Sequence, residues 1–195
     1  MLRNVLDVCV TRDIKLIYLS GWEVYSGYRS NYLSADESLP LLPKGPYAET
    51  KYLTEMLIEH CRRTQGLRCT MLRSSPVYGI GSDKPKFIYN FIDKIKRSQR
   101  IVTHRYNNGV PALDLLYIDD LVSAVTKAVG SDFEGNLNIG TGVTTSTQRI
   151  AEILQEMLGA QSKIESTLID SDTAGIAMDA SRARKTLDWR PTISI

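Results

Sequence analysis

The stretch PYAETKYLTEMLIEHCRRTQGLRCTMLRSS, residues 46–75, decides the fold class because it places a helical pattern directly before a buried strand. The pattern predicts a helix from Tyr47 to about Thr64. Gly66 is expected to close it, since glycine is common just after a helix C-terminus. Four side chains recur at the spacing of a single helical face: Leu53, Met56, Leu57 and His60.

Two apolar runs flank this helix. Residues 16–19 (LIYL) precede it, residues 68–72 (RCTML) follow it, and both runs are predicted to be buried strands. A helix between two buried strands is typical of a parallel sheet with crossover helices. The same alternation predicts further helices at 87–96 and 121–129 and further strands at 113–118 and 136–139. Asp119 is the predicted cap of the helix at 121–129, and Thr145 or Ser146 of the next one.

Composition excludes several classes of protein. The 195 residues include 24 Lys and Arg and 22 Asp and Glu, and the formal net charge of +2 is too small for a nucleic-acid-binding surface. Three cysteines without metal-ligand spacing predict a reduced, cytoplasmic setting. Neither a signal peptide nor a membrane-spanning apolar run is visible, so no membrane partner is expected. His60 and His104 lack partners at metal-ligand spacing, and no metal site is predicted.

Tyr47 and Lys51 stand four residues apart at the start of the predicted helix, so their side chains are expected on one face, a turn apart. A nearby ammonium stabilises the phenolate and is expected to lower the pKa of Tyr47 from its usual value of about 10. Such a tyrosine can exchange a proton with a hydroxyl while hydride moves to a nicotinamide. A packed tyrosine and a solvated lysine would show the same spacing, so the surrounding motifs decide between the two interpretations.

Those motifs occur in a defined order along the chain. Residues 16–25 (LIYLSGWEVY) have the form of a strand and turn, and residues 46–51 contain the Tyr-x-x-x-Lys helix. Further segments are RSSPVYG at 73–79, DLLYIDDL at 114–121, NIGTG at 138–142 and DWRP at 188–191. Together they resemble the extended short-chain dehydrogenase/reductase family, the NAD-dependent nucleotide-sugar epimerases and dehydratases. The resemblance spans essentially the whole sequence but only the later part of the family's fold.

The resemblance implies an α/β protein, with a truncated Rossmann-like parallel sheet and crossover helices plus a small C-terminal α/β substrate-binding part. Residues 1–75, with 114–140 returning to the sheet, would form the latter half of an NAD-binding domain. Residues 76–113 and 141–195 would form the substrate-binding part. The implied substrate is a nucleotide sugar and the implied cofactor is NAD or NADP, although the family's glycine-rich binding turn is absent from this sequence.

The resemblance also assigns roles to individual residues. The implied catalytic residues are Tyr47, Lys51 and Ser20. The implied cofactor-binding residues are Tyr47, Lys51, Ser75 and Val77, the last two through their backbone. The implied substrate-binding residues are Glu23 and Lys86.

Position 21 leaves two functions open. The family's Ser or Thr aligns with Gly21, and Ser20 replaces it only if the turn reorients its side chain, because neighbours in a strand point to opposite faces. One hypothesis is an NAD(P)-dependent epimerase/dehydratase-like enzyme, and the alternative is a truncated, non-catalytic member serving as an interaction or sugar-binding module. An exposed parallel sheet edge is expected, and with it a homodimer or pairing with a chain that completes the sheet.

Overall fold

The computed structural model describes residues 2–82, 87–160 and 162–195. In these ranges the helices are α1 (Leu2–Thr11), α2 (Pro46–Gln65), α3 (Phe87–Lys96), α4 (Ile118–Val129), α5 (Thr147–Leu158) and α6 (Ser181–Leu187). The strands are β1 (Leu16–Gly21), β2 (Leu33–Ala35), β3 (Cys69–Ser74), β4 (Val77–Tyr78), β5 (Ile101–Tyr106), β6 (Ala112–Leu113), β7 (Leu116–Tyr117), β8 (Gly135–Ile139), β9 (Thr145–Ser146), β10 (Ile164–Ile169) and β11 (Ile176–Met178). A short 3-10 turn, Trp22–Tyr25, follows β1.

Three strands form the central sheet in the order β1–β3–β8, and both pairings are parallel. Leu16 pairs with Cys69 at the start of the first pairing, and Ser74 pairs with Ile139 at the end of the second. α2 connects β1 to β3, and the connection from β3 to β8 contains α4. The predicted α/β class with a parallel sheet and crossover helices is therefore confirmed.

Helices cover both faces of this sheet. Met71 of β3 packs with Leu6 of α1 and Ile58 of α2, whereas its neighbour Leu72 packs on the opposite side with α4 and Trp189. Successive strand residues point to opposite faces, so a strand that is apolar on both faces needs a cover on each. With both faces covered, the ends of the strands and the edges of the sheet are the parts that these helices leave open.

The buried face of α2 differs from the face that its largest apolar residues define. Leu53 is 64% exposed and Met56 is 41% exposed. The buried residues of the helix are Ala48, Glu55, Ile58 and Cys61. The sequence pattern misplaced this face because glutamate is almost never fully buried unless it is paired. As a result, an apolar stripe of α2 faces outward.

The strand predicted at 113–118 is divided into β6 and β7. Between them the Asp114 carboxylate is buried and accepts hydrogen bonds from three backbone N–H groups, those of Thr141, Gly142 and Met178. These bonds hold Asp114 inside the protein and interrupt the strand. α4 begins at Ile118, so Asp119 lies in its first turn and not at its cap, where its charge still favours the helix dipole.

Two-stranded pairings accompany the central sheet in the described ranges. β2 with β11, β4 with β7 and β5 with β10 are parallel, and β6 with β9 is antiparallel. Ser146 caps α5, as predicted, by accepting a hydrogen bond from the Arg149 N–H at 3.1 Å. The division into a sheet part and a substrate-binding part remains a prediction. β2 lies in the predicted sheet part, and it pairs with β11 of the predicted substrate-binding part.

A buried ion pair connects α2 to the sheet. Arg73 of β3 and Glu55 of α2 are 3% and 1% exposed, and their Nη2 and Oε2 atoms are 2.7 Å apart. Arg73 Nε lies 3.1 Å from both Glu55 oxygens, and Arg73 Nη1 donates to the Tyr25 hydroxyl at 2.8 Å. That hydroxyl lies 3.2 Å from Asn138 Oδ1 on β8. The network thus joins α2, β3, β8 and the turn after β1.

Replacement of Arg73 should destabilise the protein strongly. We expect Arg73→Met to lower the free energy of unfolding by about 3–5 kcal/mol, because it leaves the Glu55 carboxylate buried without a cation. Urea denaturation followed by circular dichroism measures this change. The matched control is Arg63→Ala, which removes an exposed pair with Glu59 and should cost far less. Equal losses in the two variants would contradict the assigned importance of the buried pair.

Candidate active site

A cavity of about 430 Å³ opens where β1 and β3 end and α2 begins. Ligands of open parallel sheets bind outside the carboxyl ends of the strands, and the cavity occupies this position. Five of the predicted site residues line it: Ser20, Glu23, Tyr47, Ser75 and Val77. Lys86, the remaining predicted substrate contact, lies outside the described residues.

The start of α2 presents Tyr47 and Lys51 to this end of the sheet. Pro46 occupies the first turn, where its missing N–H removes no helical hydrogen bond. Tyr47 is 62% exposed, and Lys51 Nζ lies 5.7 Å from the centre of its ring. The prediction that the two side chains share one helical face is confirmed. Lys51 Nζ also donates to the Leu19 carbonyl oxygen at 2.9 Å, which fixes the ammonium against β1.

The pKa of Tyr47 is shifted in the direction opposite to the predicted one. Partial burial raises the pKa, and the negative charge of Glu23 raises it further. The expectation of a lowered pKa for Tyr47 is therefore wrong. Its ammonium lies against the face of the Tyr47 ring and is engaged by a backbone carbonyl of β1. At neutral pH Tyr47 therefore keeps its proton.

Glu23 is a half-buried carboxylate of the 3-10 turn, and it lines the same cavity as Tyr47. Burial raises its pKa, while the positive charge of Lys51 acts in the opposite direction. Lys51 therefore acts on Glu23, and Glu23 acts on Tyr47. Tyr47, Glu23 and Lys51 therefore form one electrostatically coupled set at the carboxyl end of the sheet.

The two serines predicted for this site are buried. Ser20 and Ser75 are 5% and 1% exposed, and in the described part of the protein neither hydroxyl has a hydrogen-bond partner. Ser20 contributes to the cavity wall, but its hydroxyl oxygen is buried away from solvent. The Ser75 hydroxyl lies against Gly140, where an added Cβ would come within 2.4 Å of it. Gly140 therefore makes room for Ser75.

Sequence reasoning missed several members of the cavity wall, namely Tyr78, Ile88, Tyr89, Leu113 and Leu115. Tyr78 belongs to the RSSPVYG motif at 73–79, next to the predicted Val77, so this motif was a signal that could have identified it. Tyr89 reaches the site from α3 and donates a hydrogen bond to the Gly79 carbonyl. No local pattern marks Tyr89, because its role depends on how α3 packs against the loop after β4.

Metal-ligating clusters and membrane-spanning helices are both absent from the described residues. Over 2–82, 87–160 and 162–195, no group of three or more histidine, cysteine, aspartate or glutamate side chains is arranged to hold a metal ion. Within the same ranges, no helix has the length and apolar character to cross a membrane.

A parallel sheet with crossover helices and a cavity at the carboxyl ends of its strands defines a Rossmann-like protein. The sequence profile of the NAD dependent epimerase/dehydratase family matches residues 1–140, and the chain belongs to this family.

Curated relatives are similar over nearly the whole chain. It is 32% identical over 98% of its length to a putative UDP-glucose 4-epimerase of Methanocaldococcus jannaschii, of which it covers 63%. It is 31% identical, again over 98% of its length, to a UDP-glucuronate 4-epimerase of Thermodesulfobacterium geofontis, of which it covers 59%. The chain spans about three fifths of the length of these relatives.

Solved structures share the fold. The UDP-glucose 4-epimerase of Thermus thermophilus in complex with NAD superposes with a TM-score of 0.87 at 22% identity, over 100% of this chain and 64% of that one. RMD from Pseudomonas aeruginosa, complexed with NADPH, superposes with a TM-score of 0.86 at 21% identity, over 99% of this chain and 67% of that one. At these identities the likeness establishes the fold.

The pKa of Tyr47 can be measured directly. We expect Tyr47 to titrate above the ordinary tyrosine value of 10.0, and Glu23→Gln to lower its midpoint because a negative charge is removed. Carbon-13 NMR of protein labelled at tyrosine Cζ follows the titration, with the resonance assigned by its loss in Tyr47→Phe. A midpoint below the ordinary value, or one that Glu23→Gln leaves in place, would show that this description of the site is wrong.

Proposed function

We propose that the chain provides the nicotinamide- and sugar-facing part of an NAD(P)-dependent enzyme of the epimerase/dehydratase type that acts on a nucleotide sugar. The observation that carries the proposal is that Tyr47 and Glu23 line one cavity at the carboxyl ends of β1 and β3, with the Lys51 ammonium 5.7 Å from the centre of the Tyr47 ring. Two relatives that are more than 30% identical are described as a putative UDP-glucose 4-epimerase and a UDP-glucuronate 4-epimerase. Both descriptions support a UDP-sugar as the substrate.

The residues present fit the nicotinamide end of a dinucleotide. Ser75 contributes a buried hydroxyl that no described protein group satisfies, and the chain beside it, through Val77, lines the cavity. Lys51 provides an ammonium beside the ring of Tyr47, which lines the same cavity. A bound nicotinamide supplies hydride acceptance and return at the sugar carbon, which amino-acid side chains cannot do. Ser75, Val77 and Lys51 would hold this end of the cofactor, either NAD or NADP.

Tyr47 would donate or accept the proton that accompanies hydride transfer. Its raised pKa keeps it protonated at neutral pH, so that it can donate a proton, which suits the return of a keto group to a hydroxyl. To act as a base it needs extra positive charge nearby, because the nearby Glu23 charge disfavours the phenolate. Lys51 would provide part of that charge.

A non-catalytic sugar-binding module is the second candidate. Two observations favour it: Gly21 has no side chain, and the Ser20 hydroxyl is buried. Such a module would bind a nucleotide sugar without turning it over. Binding and turnover therefore have to be measured separately.

Binding of NADH to the purified chain tests the proposal. We expect enhanced NADH fluorescence, weakened about tenfold by Lys51→Met because a charge-assisted hydrogen bond is lost. Tyr47→Phe should keep the binding but reduce conversion of UDP-glucose by roughly 100-fold or more, since the proton carrier is removed. The control is Lys163→Met, an exposed lysine paired with Glu165. No fluorescence change at millimolar NADH would rule out the cofactor role.

We also propose a partner for the outer face of α1 and α2, namely a second copy of the chain. Val5 and Val8 of α1 and Leu53 and Met56 of α2 are all exposed apolar residues, spaced three apart on each helix. Within the described sheet, β1 has one neighbour, β3, so its other edge is where a further strand would add. Both features support assembly beyond a single chain.

Substitution on this face should alter the oligomeric state. We expect the chain to be dimeric by size-exclusion chromatography with light scattering, and Leu53→Glu to shift it towards the monomer because a charge would be buried at the interface. Val122→Glu, at an exposed apolar position on α4, is the matched control. A monomeric wild-type chain, or equal behaviour of both variants, would contradict the proposed interface.

A further inference from the structure

The space beside Gly21 is filled by the side chain of Glu23. A Cβ built on Gly21 would lie 2.1 Å from Glu23 Oε2 and 3.3 Å from its Cδ. The three nearest atoms to that position all belong to this carboxylate. The backbone of Gly21 is extended, with φ at −155°, a conformation that any residue adopts. The backbone conformation therefore does not require glycine at position 21. The Glu23 side chain is what occupies the space that a side chain at this position would need.

Ser20 is not an equivalent source of a polar group at this point. Its neighbour Gly21 ends β1, and consecutive strand residues point to opposite faces. The Ser20 hydroxyl is buried and unpartnered in the described part of the chain. Glu23 instead lines the cavity that Tyr47 also lines.

The charges around Glu23 suit a group that faces a polar ligand. The positive charge of Lys51, one helical turn after Tyr47, attracts the Glu23 carboxylate. The backbone N–H of Glu23 itself donates a hydrogen bond to that carboxylate. These partners leave lone pairs of the carboxylate unused, since an ionised carboxylate accepts about four hydrogen bonds. The remaining lone pairs are available to a donor placed in the cavity between Glu23 and Tyr47.

We propose that Glu23 performs the task of the hydroxyl side chain that position 21 lacks, by accepting a hydrogen bond from the sugar hydroxyl that faces Tyr47. This inference rests on the proposed function. An ionised carboxylate can only accept, so Glu23 favours the hydroxyl form of the sugar over its ketone. The substrate class that fits is a nucleotide sugar with a free hydroxyl at the reacting carbon.

Calorimetric titration of the purified chain with UDP-glucose and, separately, with UDP tests this role. We expect Glu23→Ala to weaken UDP-glucose binding by about tenfold, because a hydrogen bond to a charged group is lost. Binding of UDP, which has no sugar, should stay within about twofold. Damage to the fold would weaken both ligands together, and circular dichroism checks the fold independently.

A second variant asks whether Glu23 stands in for a side chain at position 21. In Gly21→Ser/Glu23→Ala the serine enters the space that the carboxylate has left, and we expect most of the UDP-glucose affinity to return. The control is Glu49→Ala, which removes an exposed carboxylate two residues from Tyr47 and should leave both affinities unchanged.

The outcomes separate the two proposals. If the wild-type chain binds UDP-glucose but Glu23→Ala behaves like Glu49→Ala, or weakens UDP equally, the role of Glu23 is overturned and the proposed function is unaffected. If Gly21→Ser/Glu23→Ala does not regain affinity for UDP-glucose, the proposal that Glu23 takes the place of a hydroxyl side chain at position 21 is also overturned. If the wild-type chain binds neither UDP-glucose nor UDP, the proposed function fails and the inference fails with it.

Discussion

The buried pair of Arg73 and Glu55 is the interaction on which the arrangement of the site depends. A buried charge without a partner is strongly unfavourable, so β3 and α2 can pack only in the register that brings these two groups together. Glu55 follows Tyr47 and Lys51 at four-residue intervals along the same helix. Fixing Glu55 therefore fixes the rotation of α2 about its axis, and with it the direction in which Tyr47 and Lys51 project.

The same network also sets the position of the turn that contains Glu23. Arg73 donates to the Tyr25 hydroxyl, and Tyr25 ends the 3-10 turn that contains Glu23. One guanidinium thereby holds both the helix with the phenol and the turn with the acid. The tertiary surroundings of Tyr47, and not the spacing of Tyr47 and Lys51 in the sequence, set its pKa: partial burial raises it, and the charge of Glu23 raises it further.

Periodicity and motif order were sufficient for the sheet and for part of the candidate site. The apolar runs at 16–19 and 68–72 became β1 and β3, and five predicted site residues meet in one cavity. The pattern failed where a buried charge replaced an apolar residue. Glu55 lies on the inward face of α2 while Leu53 lies outside, and Asp114 interrupts a predicted strand because backbone N–H groups from distant segments surround its carboxylate.

The sequence by itself determined the fold class, the family resemblance and the one-turn separation of Tyr47 and Lys51, because these follow from local periodicity and fixed helical geometry. Only the tertiary structure decided which face of α2 is buried, that Ser20 is turned away from solvent, and that the Glu23 carboxylate covers Gly21. The reason is physical: burial, ion pairing and the field at a titrating group depend on distances between segments that are remote in the chain, and no local pattern encodes them.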